Sequence, residues 1–344
     1  MSRPTIGDVA RAAGVSKTTV SRVLAGKTKY VRTETRQRVL TAIDELEYQP
    51  SSAARSLKSK RSFALGIVGY GLEYFGPSCT LSGIEQEASE LGYTILLHLI
   101  RQPETNNVEQ LMKKMRSRYV DGIIWAVPEI GDNHDWLEEA PPQPSIPIVF
   151  LTMKPQPDQF VVAIDNYSGG LEATRHLIAQ GCRHIGLITG PLDWWEARQR
   201  KLGWQDALHS VGLPAKNSLI VEGNWSAISG ERGLKQLLTR HPEVDGLFAS
   251  NDRMALGALK AARERGLQIP RDVAIIGFDD MPDAAYFCPA LSTIRQDLGR
   301  LGRYAVRELS QAIESSQNGN EFTPKTVSIQ PQLIVRESSI RTTA

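Results

Sequence analysis

The sequence predicts an all-α helix-turn-helix head followed by an α/β body made of two doubly wound parallel-sheet lobes. Three observations carry that prediction. Two short helical patterns flank a glycine near the start of the chain. Continuous apolar runs then alternate with helical patterns from Phe63 onward. That alternation restarts near residue 161, as a second lobe would. The length of 344 residues suffices for two or three domains. Hydrophobic residues at 41% and charged residues at 23% give the balance of a globular chain.

The first helix begins at Thr5-Ile6-Gly7-Asp8, a Ser/Thr-x-x-acid capping pattern, and carries Val9, Ala10 and Ala13 as its apolar stripe. Gly14 ends it in a tight turn, and Ser16 is placed to cap a second helix. On a helical wheel from Lys17, the apolar Val20, Val23 and Leu24 fall on one side. Lys17, Thr18, Ser21 and Arg22 fall on the other, so this face is polar, basic and free of acids. A third helix over Thr33–Leu46 offers Val39, Leu40, Ile43 and Leu46 as core. Two helices about a glycine turn, closed by a third, are a helix-turn-helix unit, whose second helix enters the DNA major groove. Lys17, Thr18 and Arg22 are the expected base readers. Thr5, Ser16, Thr19, Ser21 and Lys29 are the expected phosphate contacts, which position without reading sequence.

Charge supports this division. The whole chain carries a formal net charge of +2, yet residues 1–61 hold 13 basic and 5 acidic side chains, a balance of +8, and the rest of the chain carries −6. A basic head on a mildly acidic body is the footprint of a polyanion-binding module.

In the body, strands are expected at 63–70, 94–100, 121–127 and 147–152, then at 161–165, 184–189, 246–250 and 273–278. Their continuous apolar character suits buried parallel strands. Helical patterns lie between them, for example Leu81, Ile84, Ala88 and Leu91, or Val108, Leu111, Met112 and Met115. In such sheets ligands bind beyond the carboxyl ends of strands. Distinctive residues collect there: Tyr70; the segment GPLDWWEARQRKLGW with Trp194, Trp195, Arg198 and Arg200; Trp225; Asn251-Asp252; and Asp279-Asp280. Asp252, Asp280 and Asp165 can equally cap helices or turns, Trp204 reads as core, and Trp125 fits either role.

Enzymatic signatures are missing. Gly69-Tyr70-Gly71 is not completed to G-x-G-x-x-G, and no phosphate-binding G-x-x-x-x-G-K-[ST], no G-x-S-x-G elbow and no H-E-x-x-H occur. The six histidines read as surface or helix-end residues. The three cysteines are scattered and odd in number, which suggests neither a disulfide framework nor a zinc ribbon. No cofactor and no metal are expected. No apolar run approaches the roughly 18–20 residues of a membrane span, and the start lacks a secretory apolar core, so the expected location is cytoplasmic.

The segment TIGDVARAAGVSKTTVSRVLAG, continuing through Tyr48-Gln49-Pro50, resembles the DNA-binding head of the LacI/GalR family of bacterial transcription regulators, and later motifs extend the resemblance over nearly the whole chain. Two departures occur: Lys27–Val31 is one residue longer than in the lactose repressor, and Arg32 stands where a serine often caps the third helix. The resemblance implies a helix-turn-helix domain at 1–50 and a hinge at 51–61. It also implies a two-lobed, periplasmic-binding-protein-like (type I) effector-binding and dimerisation body at 62–344. The N-lobe is then expected at about 62–162 and 294–325, and the C-lobe at about 163–293 and 326–344.

The hinge SSAARSLKSK is too short to be helical alone, and the family forms it on DNA. By resemblance Leu57 is a minor-groove wedge, with Ala54 beside it and Arg55 and Lys58 near the groove or backbone. The motifs A-R-x-R-x-x-G-W, N-D-x-M-A and [FY]-D-D carry the family's ligand residues onto Arg200 (with Arg198 near), Asn251 and Asp279. Asp165 and Trp225 match positions lining the sugar pocket of the lactose repressor.

The implied protein is a repressor of palindromic operator DNA controlled by a small effector, by induction if sugar-responsive relatives are the guide. Hydroxyl-binding groups beside indoles point to a mono- or disaccharide, with Trp194 and Trp195 as the platform and Tyr70 at the end of the first strand as a further effector residue. The alternatives are a purine or phosphosugar effector, or a sugar receptor without DNA function. The tail ESSIRTTA carries no leucine heptads, so a homodimer is expected. Leu57→Ala is expected to weaken specific operator binding in a gel shift at fixed salt while effector affinity stays near normal; unchanged operator binding would remove Leu57 as the wedge.

Overall fold

The computed structural model describes residues 4–24, 26, 31–48, 61–102, 108–139, 146–319 and 323–341. The chain divides into two compact units, Met1–Phe63 and Ala64–Ala344. Of the expected contacts, Lys29, Ala54, Arg55, Leu57 and Lys58 lie outside the described residues.

In the first unit, α1 (Ile6–Ala12), α2 (Lys17–Leu24) and α3 (Thr33–Glu45) enclose a small core of Val9, Ala10, Ala13, Val20, Val23, Val39 and Ala42. The capping pattern forms: the Thr5 N–H and its hydroxyl both donate to Asp8 Oδ2, at 2.9 and 2.7 Å. Those hydrogen bonds hold the Asp8 carboxyl below its ordinary value. Ser16 Oγ accepts from the Thr19 N–H at 3.1 Å and starts α2. Gly14 turns with φ +63°, a conformation glycine adopts without strain. Arg32 stands before α3 and gives it no side-chain cap. Leu40 and Leu24 are not core residues. They are 36% and 38% exposed; Leu24 ends α2, and Leu40 sits about a third of a turn from Val39, which α3 buries together with Ala42.

The second unit holds two parallel sheets. The first has six strands in the order β2-β1-β3-β4-β5-β11: Thr94–Leu99, Ala64–Gly69, Gly122–Ala126, Ile148–Leu151, Val161–Ile164 and Thr326–Ile329. The second has four in the order β7-β6-β8-β9: Ile220–Glu222, Ile185–Thr189, Gly246–Ala249 and Ala274–Ile276. A two-stranded antiparallel ribbon, β10 (Thr293–Arg295) with β12 (Gln332–Ile334), completes the second lobe. Both β5 and β11 belong to the first lobe, whereas the sequence grouped 161–165 and 326–329 with the second. Val161–Ile164 pairs with Phe150-Leu151 on one side and with Thr326–Ile329 on the other. An apolar strand announces burial but not which neighbour will pair with it.

The body helices are α4 (Phe75–Glu90), α5 (Val108–Ser117), α6 (Trp136–Glu139), α7 (Asn166–Ala179), α8 (Trp195–His209), α9 (Ala227–Arg240), α10 (Asp252–Glu264) and α11 (Leu298–Gln317). Glycines let three helix pairs cross backbone to backbone: Gly83 and Gly302 between α4 and α11, Gly170 and Gly203 between α7 and α8, and Gly230 and Gly257 between α9 and α10. The final segment is stitched to the second lobe by serines. Ser338 Oγ donates to Ile275 O at 2.7 Å, and Ser339 Oγ donates to Ser292 Oγ at 2.6 Å.

A Cβ on Gly170 would fall onto the backbone of Arg200. Gly170→Ala is therefore expected to destabilise the body by about 1–3 kcal/mol through overpacking, measured by urea unfolding.

Candidate functional site

Two sites are built separately, one in each unit. In the head, α2 has no acid in its first turn and leaves Lys17, Thr18 and Arg22 exposed. Lys17 lies against Gly7 of α1, where an added Cβ would meet its Cε at 3.2 Å. The hydroxyls of Thr5 and Ser16 are engaged in the caps above, and Ser16 Oγ lies 2.9 Å from Thr19 Oγ1. Ser21 is half-buried. An exposed basic helix face beside capped helix starts can meet both base edges and phosphates.

In the body, a crevice of about 960 Å³, solvent at its mouth included, opens between the two lobes. Its walls come from the carboxyl ends of strands in both sheets. Tyr70 follows β1, Pro128 follows β3 and Thr152 follows β4. Trp194 follows β6, Trp225 follows β7, Asn251 follows β8 and Asp279 follows β9. Four aromatic rings form one side. Trp194 lies 5.5 Å from Tyr74, 5.7 Å from Trp225 and 6.4 Å from Tyr70 between ring centroids. Gly190 leaves room for the Trp225 ring, which would collide with any Cβ there. The Trp225 indole N–H is buried without a partner.

Arg200 is the polar centre, 4% exposed. Its Nε donates to Asn166 Oδ1 at 2.8 Å, and its Nη1 donates to the Ser250 carbonyl. The guanidinium carbon stands 3.8 Å above the Phe278 ring, a cation–π contact. Burial lowers the Arg200 pKa, while Asp279 and Glu196 oppose that shift. Asp279 Oδ1 accepts from Gln296 Nε2 at 2.6 Å. Burial pushes its carboxyl up to about 6 against the pull of Arg200, and pushes Glu196 up to about 7. Three residues of this wall carry positive φ without being glycine: Thr152 at 56°, Trp225 at 67° and Asp279 at 120°. Such strain persists where the surroundings over-determine it, and it clusters at functional sites.

Six of the expected effector residues come together: Tyr70, Trp194, Arg200, Trp225, Asn251 and Asp279. Three do not. Asp165 caps α7, where its oxygens accept from the Ser168 N–H, Ser168 Oγ and Gln330 Nε2, at 2.9, 2.9 and 3.0 Å. Trp195, the first residue of α8, is absent from the lining although its neighbours Trp194 and Glu196 belong to it. Arg198 reaches back to Leu192 O and Asp193 O and pairs with Glu129 at 3.3 Å. Asn251 also has a structural duty: its Oδ1 accepts from the Met254 N–H at 2.8 Å and its Nδ2 donates to Trp225 O at 3.0 Å.

Asp252 and Asp280 hold the fold. Asp252 accepts from Thr293 Oγ1 at 2.6 Å and the Met281 N–H at 2.8 Å, and burial keeps its carboxyl well above the usual range. Asp280 pairs with Arg295 and Arg336, at 2.6 and 2.7 Å. Tyr74, Glu196, Arg253 and Gln296 line the crevice unforeseen. Glu196 lies two residues after Trp194 in a segment the sequence marked, and was legible there.

Trp125 is buried in the first lobe, and Trp204 is wholly buried in the second. His134 departs from the surface role expected of it: burial lowers it to about 4. Among the described residues, no cluster of three or more His, Cys, Asp or Glu could hold a metal. None of their helices is long and apolar enough to cross a membrane.

Comparison with known proteins now decides the family. Residues 5–51 match the model for bacterial regulatory proteins of the lacI family, and residues 174–339 match that for a periplasmic binding protein-like domain. The HTH-type transcriptional repressor PurR of Haemophilus influenzae (strain PittEE) is 36% identical over 339 residues, 97% of this chain and 98% of that protein. The chain belongs to the LacI family. PurR of Escherichia coli O1:K1 / APEC is 36% identical over 342 residues, covering 97% of this chain and 96% of its own. Among solved structures, the lac repressor dimer bound to operator and the anti-inducer ONPF superposes with a TM-score of 0.84 at 29% identity, covering 99% of this chain and 100% of that one. The complex of the transcriptional regulator CelR with cellobiose superposes with a TM-score of 0.70 at 30% identity, over 98% and 100%. This LacI-family member is a DNA-binding repressor and not an enzyme.

The raised carboxyl of half-buried Glu196 is expected to make the body's stability pH-dependent. Folded Glu196 keeps a proton up to about pH 7, which the unfolded chain releases near 4.5. Its contribution is therefore present below the lower value and lost as pH rises through the upper one. Glu196→Gln is expected to flatten the fall in thermal stability across that window and to raise the melting temperature at its upper end. Parallel profiles for the two proteins would show Glu196 to be ionised in the fold.

Proposed function

We propose that this repressor binds a palindromic operator as a homodimer in the cytoplasm, and that an uncharged, ring-shaped effector held in the Tyr70–Asp279 crevice sets its operator affinity. Lys17, Thr18 and Arg22 read bases, and Thr5, Ser16, Thr19, Ser21 and Lys29 position the head on phosphates. Ala54, Arg55, Leu57 and Lys58 serve the hinge in the minor groove. The observation that carries the effector assignment is the enclosed pairing of four aromatic rings with one buried guanidinium and its carboxyl neighbours.

A flat nitrogenous base of the purine kind ranks first. Two features support it. The relatives named PurR, a name we read as pointing to purines, share 36% identity across nearly the whole chain. The free polar groups of the crevice are also few. Both amide atoms of Asn251 are engaged within the protein, as are two donors of Arg200. A base with a hydrogen-bonding edge and two apolar faces matches that inventory better than a ring bearing a hydroxyl on most carbons. A neutral mono- or disaccharide ranks second, favoured by the fold shared with the CelR–cellobiose complex and by indoles suited to sugar C–H faces. An effector moves operator affinity only through different affinity for the two states of the repressor.

Isothermal titration of the full chain with hypoxanthine, guanine, cellobiose and lactose decides between the classes. Heat with a purine and none with the sugars supports the first; the reverse installs the second. In a gel shift with DNA from upstream of its own gene, Asp279→Asn is expected to keep operator binding and lose the response to whichever effector binds. An unaltered response would remove Asp279 from the site.

A further inference from the structure

We propose that Glu129 is a positioning residue of the effector crevice: it fastens the Trp194 wall of the second lobe to the Thr152 wall of the first and thereby sets effector affinity without touching the effector. The proposal rests on the reading of this crevice as the effector site. Glu129 follows β3 and is absent from the crevice lining, although its neighbour Pro128 is part of it.

Its four polar groups point two ways. Toward the first lobe, the Glu129 N–H donates to Thr152 O at 3.1 Å, and its Oε2 accepts from the Lys154 N–H at 2.7 Å. Toward the second lobe, its carbonyl accepts from the Trp195 N–H at 2.9 Å, and its Oε1 accepts from Arg198 Nη2 at 3.3 Å. The following residues continue the seam: Ile130 and Trp194 form an isolated antiparallel bridge, and the Gly131 N–H donates to Asp193 O at 2.9 Å.

The chemistry of the α8 start explains why a glutamate suits this place. The first N–H groups of a helix have no acceptor of their own, and the Glu129 carbonyl serves the one at Trp195. A carboxylate near the same helix start is also favoured by the helix dipole. The Glu129 side chain is only 13% exposed, so its pairing with Arg198 is screened less than an open surface pair. Arg198 holds Leu192 O and Asp193 O with its other nitrogen, so one ion pair fixes the whole turn that ends in Trp194. The Trp194 indole, held from behind, then meets Tyr74 and Trp225 in front.

Two comparisons of the full-length wild type with Glu129→Gln test the proposal. In hydrogen exchange, the Gly131 and Trp195 amides of the variant are expected to exchange at least about tenfold faster, while the amides of Leu234, Leu237 and Leu238 in α9 keep their protection. In titration, whichever of hypoxanthine and cellobiose binds the wild type is expected to bind the variant at least about tenfold more weakly, with effector-free operator affinity unchanged. Arg198→Gln added to Glu129→Gln is expected to cost no more than the larger single effect, as partners in one interaction do. Unchanged exchange at Trp195, loosening that spreads equally to α9, or faster exchange with unchanged affinity each overturns the proposal. If neither probe binds the wild type, the effector assignment falls, and exchange at Trp195 still decides whether the clasp exists.

Discussion

The second lobe is organised around a buried guanidinium, that of Arg200. A charge carried out of water costs several kcal/mol unless it is hydrogen-bonded and paired, so Arg200 dictates what may stand near it. Asn166 and the Ser250 carbonyl take its donors, Phe278 lies beneath its plane, and Asp279 and Glu196 supply the compensating field. The same residue is held by steric means. Gly170 and Gly203 allow α7 and α8 to touch backbone to backbone, which leaves α8 no freedom to withdraw Arg200 from the crevice.

Around that centre, topology does the rest. Tyr70, Pro128, Thr152, Trp225, Asn251 and Asp279 each follow a strand, and in parallel sheets all the strands of one lobe point their carboxyl ends the same way. Thr152, Trp225 and Asp279 leave these strands with positive φ. Burial raises the carboxyl groups so gathered, Asp279 to about 6 and Glu196 to about 7, against the pull of Arg200. Such groups can accept from or donate to a neutral ligand as the pH requires. Asp252, fully buried, is tied to Thr293 and Met281 instead, and so supports the strand exits.

The head works by simpler means. Its core is a handful of small aliphatic side chains, and its functional face is what remains when that core is subtracted from a short helix. Capping at Thr5 and Ser16 fixes where α1 and α2 begin, and the beginning of α2 fixes which side chains face outward. The basic balance of this segment against an acidic remainder suits its part in DNA binding.

Local chemistry was legible in the residues alone. The capping pattern at Thr5 and Asp8, the glycine turn, the outward face of α2 and the apolar strands all depend on short-range spacing or periodicity, while the family's motifs singled out Arg200, Asn251 and Asp279 among the residues beyond strand ends. What depends on distant partners was not legible. Val161–Ile164 reads as an apolar strand in either lobe until Phe150 and Thr326 pair with it. Asp165 resembles a ligand residue until Gln330 and Ser168 occupy its oxygens. Arg198 resembles Arg200, two positions on, but a turn of 200° sends one to Glu129 and the other into the protein interior. Sequence determines what each residue can offer, because propensity and polarity are local properties. Only the tertiary structure decides which offers are taken up within the protein and which stay open to a ligand, because that depends on what chain folding brings within hydrogen-bonding distance.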